Sequence, residues 1–181
     1  MRITRLLLVC CLATFSATAC ASGLPPIKPV AQVDLPRFMG KWYLIATIPT
    51  SYGKDAYNAV ETYTLKPDGD IHTTFRFNNG AFDGTVKDIH STGYVSSGTG
   101  NAVWGVALFW PFKLQYIVAW LQPDYSQMIV ARDKRDYVWV FARTPQVSQA
   151  DYDALVAEVG KLGYDTSKVR EVPQKWPSTT R

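Results

Sequence analysis

From Gly40 onward, apolar and polar residues alternate in short runs broken by turn residues. Residues 71–78 show it most cleanly: Ile71, Thr73, Phe75 and Phe77 fall on one face, and His72, Thr74, Arg76 and Asn78 on the other. A period of two places successive side chains on opposite sides of a β-strand. The same reading, helped by β-branched and aromatic residues, predicts strands over 41–47, 59–65, 71–78, 85–96, 102–109, 115–121, 127–132 and 137–143. Between them lie Lys66-Pro67-Asp68-Gly69-Asp70, Asn79-Gly80, Ser97-Gly98-Thr99-Gly100-Asn101 and Pro123-Asp124, all turn chemistry. Eight strands in meander order with short connections predict an all-β, up-and-down antiparallel barrel. The period then changes. Tyr152, Leu155, Val156, Val159 and Leu162 make one helical stripe, with Ser148 as N-cap and Gly163 at the C-terminal end. This C-terminal helix is expected to pack on the outside of the barrel, followed by a short strand over 168–172.

The first 33 residues do not fit that pattern. Arg2 and Arg5 precede an apolar run from Leu6 to Ala13 that is too short to span a bilayer, so residues 1–19 read as a secretory signal. Ala17-Thr18-Ala19-Cys20 resembles a bacterial lipoprotein box, in which the cysteine becomes lipid-modified; ordinary signal cleavage is the alternative. Ala21 in place of Asp after the cysteine implies, by that resemblance, sorting to the outer membrane. Pro25, Pro26 and Pro29 make residues 20–33 an extended tether, so that residues 34–176 form the folded domain and 177–181 a tail.

Composition narrows the chemistry. Cys10 and Cys11 lie in the signal, leaving Cys20 alone, so neither an intrachain disulfide nor a cysteine metal site is expected. The formal charge of +4 falls to about +2 without Arg2 and Arg5, and no basic stripe accompanies it. Nucleic acid is therefore not an expected partner. His72 and His90 have neither a nucleophile signature nor metal-ligand spacing around them. No catalytic residue, metal or cofactor is expected.

Strand parity gives a lining for the barrel interior. It comprises Glu61 and Tyr63, Phe75 and Phe77, Tyr116, Val118 and Trp120, and Tyr137, Trp139 and Phe141. Of these, Tyr63, Phe75, Phe77, Tyr116, Val118, Trp139 and Phe141 are the candidate ligand-binding residues, an apolar wall with a few hydroxyls. Glu61 is a buried acid if the register holds and points outward if it slips by one residue. Loops 48–58, 78–84, 109–115 and 133–136 would set the mouth, with Lys54, Lys113, Lys134 and Arg135 on them. Phe109-Trp110-Pro111-Phe112 is apolar for a loop and leaves three readings open: a membrane contact, a homodimer through residues 109–113, or a lid.

Gly40-Lys41-Trp42 opens the series, Pro123-Asp124-Tyr125 turns between the sixth and seventh strands, and Arg143 ends the eighth before a helix. This order resembles the lipocalin family, and in particular bacterial lipocalins, which are outer-membrane lipoproteins, and apolipoprotein D-like members. The resemblance runs from about Asp34 to Trp176. It implies that Gly40, Trp42 and Arg143 shape the closed end, with Arg143 stacked on Trp42. It also implies that Tyr63 and Trp139 face inward. The sequence departs from the family at Leu121-Gln122-Pro123-Asp124-Tyr125 and at Phe75, where a polar Asn is common. The function implied is binding and storage or transport of a fatty acid, lysophospholipid or similar amphiphile, in a protein lipid-anchored to the outer membrane and facing the periplasm. The alternative is a lipid-modifying isomerase or hydrolase on the same fold. An integral eight-stranded membrane barrel is disfavoured, because the third strand carries His72, Thr74 and Arg76 on its outer face.

Overall fold

A computed structural model describes residues 23–177 apart from Trp110. The signal segment and Cys20 lie outside the described residues, as do residues 178–181. A short helix, α1 (Leu35–Phe38), leads into β1 (Gly40–Ile48), β2 (Ala56–Leu65), β3 (Ile71–Asn79) and β4 (Val86–Val95). There follow β5 (Val103–Phe109), β6 (Phe112–Leu121), β7 (Gln127–Ala131), β8 (Val138–Ala142), the helix α2 (Gln149–Lys161) and a short β9 (Arg170–Glu171). Each of β1 to β7 pairs antiparallel with the next, and β1 pairs with both β2 and β8, which closes the barrel. The eight-stranded up-and-down barrel with one helix after it is thus the fold that the alternation predicted.

Closure is incomplete along β1, and the C-terminal segment fills the gap. β1 pairs with β2 only over Gly40 to Tyr43. Beyond that, β9 pairs with Ala46 and Thr47, and the Gln174 side-chain amide donates to the Leu44 and Ala59 carbonyls at 2.8 and 3.0 Å. Backbone groups that the splayed strands would leave open are satisfied in this way.

Two apolar layers result. One fills the barrel around Trp42, Trp104, Phe38, Met128 and Val118. The other lies between the outer face of β7–β8 and α2, where Leu155 and Val159 pack over Ile129, Ala131, Val138 and Val140. Ser148 caps α2 by accepting from the Asp151 N–H at 3.1 Å, and Gly163 takes the positive φ of +87° that ends it.

Three expectations are corrected. Residues 25–33 are not a free tether. The Ile27 N–H donates to Asp133 at 2.7 Å, Val30 N–H to the Val118 carbonyl and Val33 N–H to the Gly100 carbonyl, while Ile27 and Val33 are buried. Gly100, at φ +59°, permits this approach: a Cβ there would stand 2.0 Å from the Ala31 carbonyl oxygen. The helix after Asp34 is not among the predicted elements: Asp34 accepts from the Arg37 N–H, and a proline stands in the first turn. Finally, β6 begins at Phe112 rather than at 115, and Phe112 pairs with Phe109, so this segment is a hairpin tip and not a lid. Both phenylalanines are exposed and meet edge to face at 5.8 Å.

Candidate functional site

The direction of the strands defines two ends. Turns 66–70, 96–102 and 122–126 lie at one, with α1 across it; segments 49–55, 80–85 and 132–137 and the β5–β6 hairpin tip lie at the other.

The first end is closed by packing. Phe38 of α1 projects into the barrel and meets Trp42, Tyr63 and Trp104 with ring centroids 5.3 to 5.4 Å apart. The Arg143 guanidinium lies 3.9 Å over the Trp42 ring and donates to the carbonyls of Lys41, Arg37 and Phe38 at 2.8 to 3.0 Å. The Trp42 indole N–H donates to the Phe38 carbonyl as well. One cation therefore ties the start of β1 and the end of α1 to the end of β8, and satisfies carbonyls that a short helix leaves open. Gly40 holds φ +91°, a conformation that a side chain would strain. The Pro123-Asp124-Tyr125 turn joins the same assembly: the Asp34 N–H donates to the Tyr125 hydroxyl, and Arg37 lies over the Tyr125 ring.

Above this floor is a cavity of about 270 Å³ that opens at the other end. Tyr63, Phe75, Tyr116, Trp139 and Phe141 line it, as do Glu61 and Tyr137. Phe77 and Val118 do not. Phe77 is buried against Phe75 and belongs to the packed interior. Val118 lies one inward step below Tyr116, toward the floor, completely buried. Trp120, placed inward by parity, packs instead in the outer layer. The pairing of β6 with β7 slips between Val118 and Trp120, and this bulge reverses the faces of the residues beyond it. A second slip, between Leu44 and Ala46 in β1, turns Ala46 outward and Thr47 into the cavity.

Sequence reasoning also missed Leu44, Thr73, Ile89, Ser91, Val106, Leu108 and Leu114 on the wall. Most were within reach of the same rule: Thr73 shares the parity of Phe75, and Ile89 and Ser91 sit two apart on β4. Thr47 was not, because a bulge leaves no mark in the alternation.

The base of the cavity is polar. The Tyr63 and Tyr116 hydroxyls are hydrogen-bonded at 2.7 Å, as are those of Thr73 and Ser91. Tyr116 stacks on Trp104 at 4.7 Å. Glu61 stands one inward step above Tyr63 on β2, keeping only part of its surface open. Burial pushes its carboxyl up to about 7, against the opposing influence of the nearby Thr73 hydroxyl. Burial likewise raises both phenols. His72 and His90 stack on each other outside the barrel at 5.6 Å. Lys54 and Lys134 are exposed on the mouth segments. Arg135 donates to the Pro25 and Leu162 carbonyls, and Lys113 lies 3.7 Å over the Tyr94 ring.

A closed antiparallel barrel with a packed floor, an open mouth and an aromatic cup defines a small-molecule-binding barrel protein. The match to the lipocalin-like domain model covers residues 33–174, and the chain belongs to that family, whose members bind small hydrophobic molecules. It is 30% identical to temperature-induced lipocalin-1 of Arabidopsis thaliana over 157 residues, covering 82% of this chain and 83% of that protein. It is 29% identical to the outer membrane lipoprotein Blc of Escherichia coli K12 over 164 residues, covering 90% and 92%. Among solved structures, insecticyanin from the tobacco hornworm superposes with a TM-score of 0.62 at 17% identity, covering 86% of this chain and 88% of that one. That likeness bears on the fold alone.

Proposed function

We propose that this protein binds a single-chain lipid, such as a fatty acid, a lysophospholipid or a similar amphiphile, and stores or carries it at the outer membrane. The observation that carries this reading is the cavity itself: open at one end, walled by Phe75, Leu108, Trp139 and Phe141, and about 270 Å³ in volume. That is near the lower bound of roughly 300 Å³ for small-molecule sites, which suits one acyl chain better than two. Each buried CH₂ contributes about 0.8 kcal/mol, so a long chain binds through desolvation. The ligand would touch Tyr63, Phe75, Tyr116, Trp139 and Phe141; Phe77 and Val118 would support the wall and the floor from behind.

Anchoring through an acylated Cys20, with the domain facing the periplasm, completes the proposal. The chain meets the barrel near its open end: Pro25 accepts from Arg135 and Ile27 donates to Asp133, both on the β7–β8 loop. Tyr52, Phe82, Val86, Phe109 and Phe112 are exposed at that end too. An anchored molecule would therefore hold its apolar rim near lipid, where ligand could exchange without crossing water. A homodimer through residues 109–113 would use the same rim.

The test is to identify by mass spectrometry what co-purifies with the mature protein, then to titrate delipidated protein with acyl ligands. Saturable binding at one site per chain is expected. Delipidated protein that takes up no single-chain lipid would refute the reading. Cys20→Ser should move the protein from the membrane fraction to the soluble periplasm.

A further inference from the structure

The polar groups of the cup are not where a plain acyl tail would want them. A tail-first ligand needs an apolar base and a polar rim. Here the base carries Glu61, the Tyr63–Tyr116 hydroxyl pair and the Thr73–Ser91 hydroxyl pair. The strand registers put them together: Tyr63 pairs with Thr73 and Thr73 with Ser91, while Glu61 follows one inward step up β2.

The charges are one-sided. Among the described residues that line the cavity, Glu61 is the only acid, and there is no Lys, Arg or His. The wall residues on the surrounding elements are uncharged: Leu44 and Thr47 from β1, Phe75 (the cross-strand partner of Glu61) and Thr73 from β3, Ser91 from β4, Tyr116 from β6 and Trp139 from β8. The other titratable groups on the wall are the phenols of Tyr52, Tyr63, Tyr116 and Tyr137. Each hydroxyl pair uses one of its two protons internally, and the Thr73 hydroxyl also serves Glu61, so the lone pairs left over at the base outnumber the protons. An acid with no counter-ion low in such a cup disfavours a second anion strongly and welcomes a donor, above all a cationic one.

We infer that Glu61, with the hydroxyls of Tyr63, Thr73, Ser91 and Tyr116, forms a donor-selective subsite at the base of the cup, which takes an amphiphile entering with a protonated amine or hydroxyl end first and rejects a carboxylate there. This rests on the lipid-binding reading and names which amphiphiles it favours. Because Glu61 ionises near neutrality, the preference for a cation is strongest at alkaline pH and fades as the carboxyl gains its proton.

The probes are dodecylamine, dodecanol and dodecanoate, equal in chain and different in end group, titrated calorimetrically into delipidated protein at pH 8.5 and pH 5.5. At pH 8.5 the wild type should bind the amine at least about tenfold more tightly than the carboxylate, with the alcohol between. That ratio should fall to within about threefold at pH 5.5, and in Glu61→Gln at both pH values. The change with pH in the wild type stands even if the variant misfolds. An amine-to-carboxylate ratio that is the same in Glu61→Gln and wild type overturns the subsite, as does a wild type that favours dodecanoate at pH 8.5. If none of the three binds, the lipid-binding reading falls and the subsite with it. If all three bind alike, only the subsite falls.

Discussion

The two ends of this barrel are built on opposite principles. At the closed end every strong group has a partner. Arg143 spends its donors on three carbonyls and its face on Trp42, and Trp42 donates to Phe38. Phe38 brings three rings together beneath the cavity. Beyond it a carboxyl sits low in the cup without a counter-ion among the lining residues, and at the open rim large apolar side chains reach into solvent. Stability is concentrated where nothing has to move, and unsatisfied potential where a ligand can use it. A barrel suits this division, since its wall is continuous in hydrogen bonding while its two ends are free to differ.

Substitutions can break that contrast. The largest effect should come from Trp42→Ala, which removes a fully buried indole from the floor and strands Arg143. A loss of about 3–5 kcal/mol is expected, read as a fall in the denaturation midpoint. A loss under about 1 kcal/mol would show that the floor does not hold the fold.

Glu61 gives the next effect, with the opposite sign. Its carboxyl is raised from 4.5 to about 7 in the folded protein. Between those values the folded protein holds a proton that the unfolded chain has released. Stability therefore falls as pH rises from about 4.5 through about 7, and is level above. The drop is at most about 3 kcal/mol. Glu61→Gln should abolish this slope and stabilise the protein at pH 8.5, as thermal melts across pH would show. A wild type equally stable at pH 5 and pH 8.5 would mean that Glu61 is not buried as described.

Arg143→Ala should cost about 2 kcal/mol, since it leaves carbonyls of α1 and β1 unpaired. Lipid affinity measured well below the melting point should not change, because the cavity lies on the far side of Tyr63 and Trp42. An unchanged melting temperature would remove Arg143 from its role at the closed end.

The smallest effect on stability belongs to the open rim. Phe109→Ser with Phe112→Ser should change stability by no more than about 0.5 kcal/mol, because both side chains are exposed. The same pair should slow uptake of lipid from vesicles while leaving the equilibrium affinity for dispersed lipid alone. Equal uptake rates in variant and wild type would exclude the rim as the route of exchange.

Much of this was legible in the linear pattern. Alternation over 71–78 and 137–143 placed Phe75, Trp139 and Phe141 on the inner face, and the strand count with its short turns specified the barrel. Glycine chemistry at Gly163 was legible as well, since the positive φ that ends a helix is a local demand; Gly40 was marked only by the family resemblance. Three kinds of feature were not. Bulges at Val118–Trp120 and Leu44–Ala46 swap faces without changing composition, so Trp120 was misplaced and Thr47 overlooked. The prolines of residues 25–33 signal extension equally for a free tether and for a segment bonded along a wall. The short α1 is held by Asp34 and by Arg143 from the other end of the chain, which no local window contains.

By itself, then, the sequence determined the period, the turns and therefore the barrel, because strand formation and reversal depend on neighbouring residues. Only the tertiary structure decided which groups meet inside it. The Tyr63–Tyr116 and Thr73–Ser91 pairs, and the lack of a counter-ion beside Glu61, depend on strand register and closure of the barrel, while two single-residue slips decide where Thr47 and Trp120 point. A carboxyl's ionisation is set by what surrounds it in space, and here those surroundings come from five separate strands.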